Sequence, residues 1–91
     1  MYSLVWTEHF SRSAKKFIKK HPELKEKFIN TLHDLESDPT APHLKLHALS
    51  GKLKGIEAVS LTYSYRITLT IKINKGAIIL LGIGSHDEVY R

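Results

Sequence analysis

Residues 63–73, Tyr-Ser-Tyr-Arg-Ile-Thr-Leu-Thr-Ile-Lys-Ile, alternate apolar and polar side chains almost without fault. Tyr63, Tyr65, Ile67, Leu69, Ile71 and Ile73 fall on one face, and Ser64, Arg66, Thr68, Thr70 and Lys72 on the other. A period of two belongs to a half-buried β-strand, because successive side chains of an extended chain point to opposite sides. Asn74-Lys75-Gly76 comes next and tolerates positive φ, which predicts a short hairpin loop with Gly76 left-handed. Residues 77–83 are apolar on both sides, as a central strand is. Gly82 and Gly84 are expected to loosen the backbone just before His86. Arg66 on the polar face, and His86 and Tyr90 beyond the next strand, are therefore expected to converge.

The rest of the chain reads as support for that hairpin. Residues 2–7 alternate as Tyr2, Leu4 and Trp6, a first strand. Thr7 is placed to cap a helix, with Glu8 where the helix dipole favours a negative charge. Phe10, Ala14, Phe17 and Ile18 recur at helical spacing, with Arg12, Lys15, Lys16, Lys19 and Lys20 away from them. Pro22 ends this helix and suits the first turn of the next. Leu24, Phe28, Leu32 and Leu35 form a second buried stripe with Ile29 beside it, and Asp38-Pro39 stops it. Residues 39–51 are a loop, and residues 53–61 a weaker strand interrupted by Gly55. The order β-α-α-β-β-β predicts an α+β fold, a two-helix hairpin on a mainly antiparallel four-stranded sheet.

Ninety-one residues with 42% hydrophobic content amount to one globular domain over residues 1–91. The chain has no cysteine, so neither disulfides nor thiolate metal sites are available. No signal peptide or membrane-spanning run is apparent, and a cytoplasmic protein without membrane attachment is expected. The net charge of +5 favours a polyanionic partner, nucleic acid or an acidic protein, and equally suits plain solubility.

Candidate chemistry lies on the polar sheet face. Lys45, Lys52, Lys54 and Arg66 are the basic residues between 39 and 66, against the single acid Glu57. Lysines there would neutralise phosphates, and Arg66, on a rigid strand, can grip one in bidentate fashion. Ser60 and Ser64 share the polar side. A strand face of solvated charges, with Arg66 paired to a carboxylate, is the plain alternative. Six histidines are many for this length, yet none shows metal-ligand spacing, so no metal or other cofactor is expected. His9, His21 and His33 read as surface or capping residues. His47 and His86 fall at junctions bordering the polar face, where an imidazole, titrating near pH 6.5, suits proton transfer. Tyr90 is placed to stack on a base or to donate a proton.

Leu49-x-Gly51-x-Leu53-x-Gly55, Tyr65-Arg66-Ile67 and the ending Ile83-Gly-Ser-His86-Asp-Glu-Val-Tyr90, in this element order, resemble the RelE/ParE superfamily of type II toxin–antitoxin toxins. The likeness covers nearly the whole chain and is strongest to the RelE- and YafQ-type mRNA interferases. It implies a toxin that cleaves mRNA in the ribosomal A site without metal, silenced by a cognate antitoxin in a hetero-oligomer. Arg66 matches the strand arginine holding the scissile phosphate, His86 the C-terminal histidine of the YafQ-like branch, and Tyr90 the terminal aromatic. His47 matches a loop histidine of that branch, and Lys52 and Lys54 resemble RelE-type basic residues. Ser60 and Ser64 stand where YafQ-like toxins place a further histidine and an aspartate. The second RelE-type arginine has no clear equivalent. ParE-type members share the fold and poison DNA gyrase instead, and a catalytically impaired antitoxin-binding homologue is a third possibility.

RNA cleavage needs a base for the 2′-hydroxyl proton, a cation for the phosphorane-like transition state and an acid for the 5′-oxygen. His47 or His86 can serve as base or acid, Arg66 as charge stabiliser, and Tyr90 as acid or stacking platform.

Overall fold

The hairpin forms the middle of the sheet. In the computed structural model, which describes residues 1–89, β4 (Tyr65–Lys72) and β5 (Ala77–Ser85) pair antiparallel. The 3₁₀ turn Ile73–Lys75 joins them, and Gly76 closes it at φ 59°, in the left-handed region. The apolar strand is central as expected, flanked by β4 and by β1 (Ser3–Trp6), which runs parallel to it. β3 (Glu57–Ser60) pairs antiparallel with β4, and β2 (His47–Ala48) with β3, giving the order β1-β5-β4-β3-β2.

Between β1 and β2 lie the two expected helices, α1 (Glu8–Lys20) and α2 (Lys25–Ser37), separated by the 3₁₀ turn Pro22–Leu24. Thr7 caps α1: its Oγ1 accepts the Phe10 N–H at 3.1 Å and donates to Leu80 O at 2.7 Å, tying the helix start to β5. Phe10, Ala14 and Phe17 of α1 and Phe28 and Leu35 of α2 are buried against Val59, Ile67, Leu69, Ile78 and Leu80 of the sheet. Trp6 packs edge-on to Phe10 and Phe28, and Phe17 edge-on to Tyr65. Aromatic burial of this kind supplies much of a small core's driving force. Among the described residues, no helix is long and apolar enough to cross a membrane.

The structure corrects several details. The sheet has five strands rather than four, because His47–Ala48, inside the expected loop, pairs with β3. The strand expected over 53–61 starts only at Glu57. Lys52 lies in the 3₁₀ turn Gly51–Leu53 and Lys54 in the bend after it, since Leu53 N, Lys54 N and Ile56 N bond back to Ser50, Gly51 and Leu53 carbonyls. Local turn bonds there replace ladder bonds. Tyr63 and Ile73 are 97% and 79% exposed, not on the buried face, because the ladder ends inside both. Leu61 N and Thr62 N both bond to Tyr65 O, folding residues 61–64 into a tight turn. Gly82 and Gly84 do not loosen the chain: β5 continues through both, opposite Thr68 and Arg66. After Ser85 the chain enters α3 (His86–Val89), an element that the predicted order did not include. In α2, Ile29 is 42% exposed while Thr31 is buried, its Oγ1 donating to Lys27 O at 2.8 Å. That bond lets a hydroxyl occupy the buried stripe.

Candidate active site

Strand register explains how residues far apart in sequence come together. Residues directly opposite in a sheet share a face, as do residues two apart on one strand. His47, Ala58 and Thr68 form one cross-strand row with Gly82. Ser60, Arg66 and Gly84 form the adjacent row on the same face. His86 follows Gly84 by two residues. Tyr65 and Ile67 take the opposite face, towards α1 and the core. A cleft of about 430 Å³ results, lined by His47, Ser50, Leu53, Arg66 and His86 among others. Three of the four catalytic candidates thus line one cavity. Tyr90 lies outside the described residues.

His47 Nδ1 is 2.9 Å from Lys45 O. A carbonyl only accepts, so Nδ1 carries the hydrogen and the neutral ring has its lone pair on Nε2. Lys45 has φ 53°, the one non-glycine residue with positive φ among those described. That conformation is disfavoured for a side chain with a Cβ and is held here by its surroundings.

His86 begins α3, and a reciprocal cap fixes it there. Ser85 N donates to Glu88 Oε1 at 2.8 Å, and Glu88 N to Ser85 Oγ at 3.3 Å. This Ser-x-x-Glu capping box is a local signal of a helix start that the sequence itself carries. A Cβ on Gly84 would lie 3.1 Å from Glu88 Cβ and Oε1, so α3 packs closely over bare backbone. His86 Nδ1 is 3.6 Å from Asp87 Oδ1, an ion pair when the ring is protonated.

Arg66 does not pair with a carboxylate among the described residues. Its Nη1 donates instead to the carbonyls of Thr62, Tyr63 and Tyr65 at 3.0, 3.1 and 3.4 Å. The turn is closed in its own right by Ser64 N donating to Thr62 Oγ1 at 3.2 Å. This anchor uses one nitrogen, Nη1; Nε and Nη2 form the other edge of the guanidinium, with two parallel N–H bonds. Sequence alone offered no signal for this anchor.

The other candidates disperse. Lys45 and Ser60 line a second cleft together with Arg66. Lys52 and Lys54 are exposed, and Ser64 is exposed on the β3–β4 turn. His9 sits 3.3 Å from Ser13 Oγ, His33 pairs with Glu36 at 3.4 Å, and His21 ends α1 with its ring against Phe17 and Tyr65. Among the described residues no group of three or more histidines or carboxylates is placed to hold a metal ion.

Comparison with known proteins gives a structural answer. No protein-family model matches the sequence. No curated protein matches it either. Solved structures match over nearly the full length. A metal-bound toxin from Helicobacter pylori is 26% identical with a TM-score of 0.80, over 98% of this chain and 99% of that one. YafQ from E. coli is 14% identical with a TM-score of 0.81, over 100% of both chains. YoeB in the YoeB–YefM complex from Staphylococcus aureus is 15% identical with a TM-score of 0.72, over 94% and 98%. The chain has the RelE-type fold of the YafQ and YoeB toxins.

Proposed function

We propose that a chain with this toxin fold and this cleft is the toxin of a type II toxin–antitoxin pair, an endoribonuclease that cuts mRNA in the ribosomal A site. The observation that carries the reading is that His47, Arg66 and His86 line one cavity. In the proposed reaction His47 Nε2 takes the 2′-hydroxyl proton, the 2′-oxygen attacks phosphorus, and the P–O5′ bond breaks. Protonated His86 gives its proton to the departing 5′-oxygen. The products are a 2′,3′-cyclic phosphate and a 5′-hydroxyl. Arg66 Nε and Nη2 bind the non-bridging oxygens as charge builds on them, a contribution worth several kcal/mol in a preorganised site. Tyr90 supplies a stacking surface or a second acid, and the exposed Lys52, Lys54 and Ser64 meet the RNA backbone.

The proposed reaction needs no metal. The Arg66 guanidinium and the protonated His86 already supply the positive charge the transition state needs. The ribosome holds the message in line, a positioning effect of several kcal/mol. The YoeB structure solved with YefM supports a protein antitoxin as the partner. Pulse labelling of DNA, RNA and protein synthesis after induction, with mapping of transcript ends, tests the reading. Translation arrest with transcripts ending in 2′,3′-cyclic phosphate is expected. Arrested DNA synthesis with intact transcripts would replace this reading by gyrase poisoning.

A further inference from the structure

A second cleft, of about 540 Å³, shares Arg66 with the first. Lys27, Asn30 and Asp34 of α2, Lys45, and Tyr63 of the β3–β4 turn line it, and none of their side chains acts in the proposed reaction. Its basic groups are Lys27, Lys45, Arg66 and His43, against the single carboxylate of Asp34, which lies 2.8 Å from His43 Nε2. Tyr63 is 97% exposed, a large ring left in water that contributes nothing to the core.

Two links couple this cleft to the first. Lys45, in its left-handed conformation, lines the second cleft while its carbonyl orients His47 in the first. Arg66 Nη1 bonds to the Tyr63 carbonyl, so the turn that carries the exposed ring is tied to the guanidinium. Arg66 and Tyr63 line this same cleft, so a phosphate on the guanidinium would have the exposed ring nearby.

We infer that the second cleft is a nucleotide subsite for single-stranded RNA beside the scissile phosphate. Tyr63 stacks on the neighbouring base, Lys27 and Lys45 neutralise the adjoining phosphate, and Asn30 and Asp34 offer acceptors to an N–H on the edge of that base, such as the uracil N3–H. An acidic peptide fits less well, because Asp34 would repel it and an exposed aromatic ring gives it no matching contact. The inference rests on RNA being the substrate of the first cleft.

The test compares wild type, Tyr63→Ala and Tyr63→Phe, using full-length protein. The probes are labelled oligouridylate, the same strand without bases, and polyglutamate. Tyr63 fills no core, so its removal leaves the fold in place. Tyr63→Ala is expected to bind oligouridylate roughly 5- to 150-fold more weakly, the loss of one base–aromatic stack, while Tyr63→Phe binds as wild type. The abasic strand is expected to bind wild type and Tyr63→Ala equally. Unchanged oligouridylate binding by Tyr63→Ala overturns the subsite. Equal losses on the abasic strand or polyglutamate also overturn it, in favour of a surface for generic polyanions or an acidic protein. Failure of wild type to bind oligouridylate overturns it as well. Tyr63-dependent binding without any cleavage of mRNA keeps the subsite and removes the nuclease reading. Cleavage with Tyr63-independent binding does the reverse.

Discussion

Arg66→Ala is expected to damage the protein in two separable ways. Alternation alone puts Arg66 on the polar face, filling no core, and suggests a substitution without structural cost. The Nη1 bonds to Thr62, Tyr63 and Tyr65 carbonyls change that expectation. Hydrogen bonds to a charged donor contribute about 1.5–3 kcal/mol each at best. Here two hydrogens serve three acceptors, one of them at 3.4 Å, and water can replace the donor at this half-buried turn. A net loss of about 1–2 kcal/mol follows. In a domain of this size that lowers Tm by roughly 4–16 °C. The rate effect is larger, about 10²–10³-fold, for loss of a donor to the transition state. Arg66→Lys keeps a charge that can reach the turn but loses the two-pronged edge, so it recovers part of the stability and little of the rate. Thermal melts by circular dichroism, with single-turnover cleavage of ribosome-bound mRNA well below each variant's Tm, separate the two effects. An Arg66→Ala protein melting with wild type would refute the turn-anchor argument. One that cleaves at the wild-type rate would refute the phosphate role.

Glu88→Ala removes one half of the cap at the start of α3, worth about 0.5–2 kcal/mol locally, and is expected to slow cleavage by freeing His86. Faster hydrogen exchange at the Ser85 amide would accompany this, and unchanged exchange would count against the capping role. Cleavage is expected to survive chelators once Mg²⁺ for the ribosome is restored; a requirement for a trace transition metal would contradict the metal-free reaction. At the end of α2, Thr40 Oγ1 and then Thr40 N donate to Asp38 Oδ1 at 2.6 and 2.9 Å, lowering its pKa below the usual 3.8. A lowered folded-state pKa adds stability above the unfolded value that is lost as pH falls through the folded one. Asp38→Ala is therefore expected to be less stable at neutral pH, with the gap to wild type closing below about pH 3.8; a gap constant with pH would exclude this origin.

Local order was legible in the residues. The alternation through Tyr65–Lys72, the Asn74-Lys75-Gly76 turn, the Thr7 cap and the spacing of Phe10, Ala14 and Phe17 depend on neighbours within about one helical turn or one strand. The Ser85-x-x-Glu88 cap belongs to the same class and was there to be read. Grouping of His47, Arg66 and His86 was legible in outline, from the alternation that set Arg66 on the polar face and from the junctions where His47 and His86 fall. What placed them was strand pairing: β2 on β3, β3 on β4 and β4 on β5, in a register that puts all three on one face. The same pairing brings β1 alongside β5 in parallel, with Thr7 bonded to a carbonyl 73 residues away. It also ends the β4 ladder at Tyr65, leaving Tyr63 in solvent despite its place in the alternating pattern. Periodicity records which face of a segment is apolar. Partner, register and the point where a ladder stops depend on which distant faces are buried together and where backbone groups find other partners, as the Thr62, Tyr63 and Tyr65 carbonyls find the Arg66 guanidinium at the β3–β4 turn.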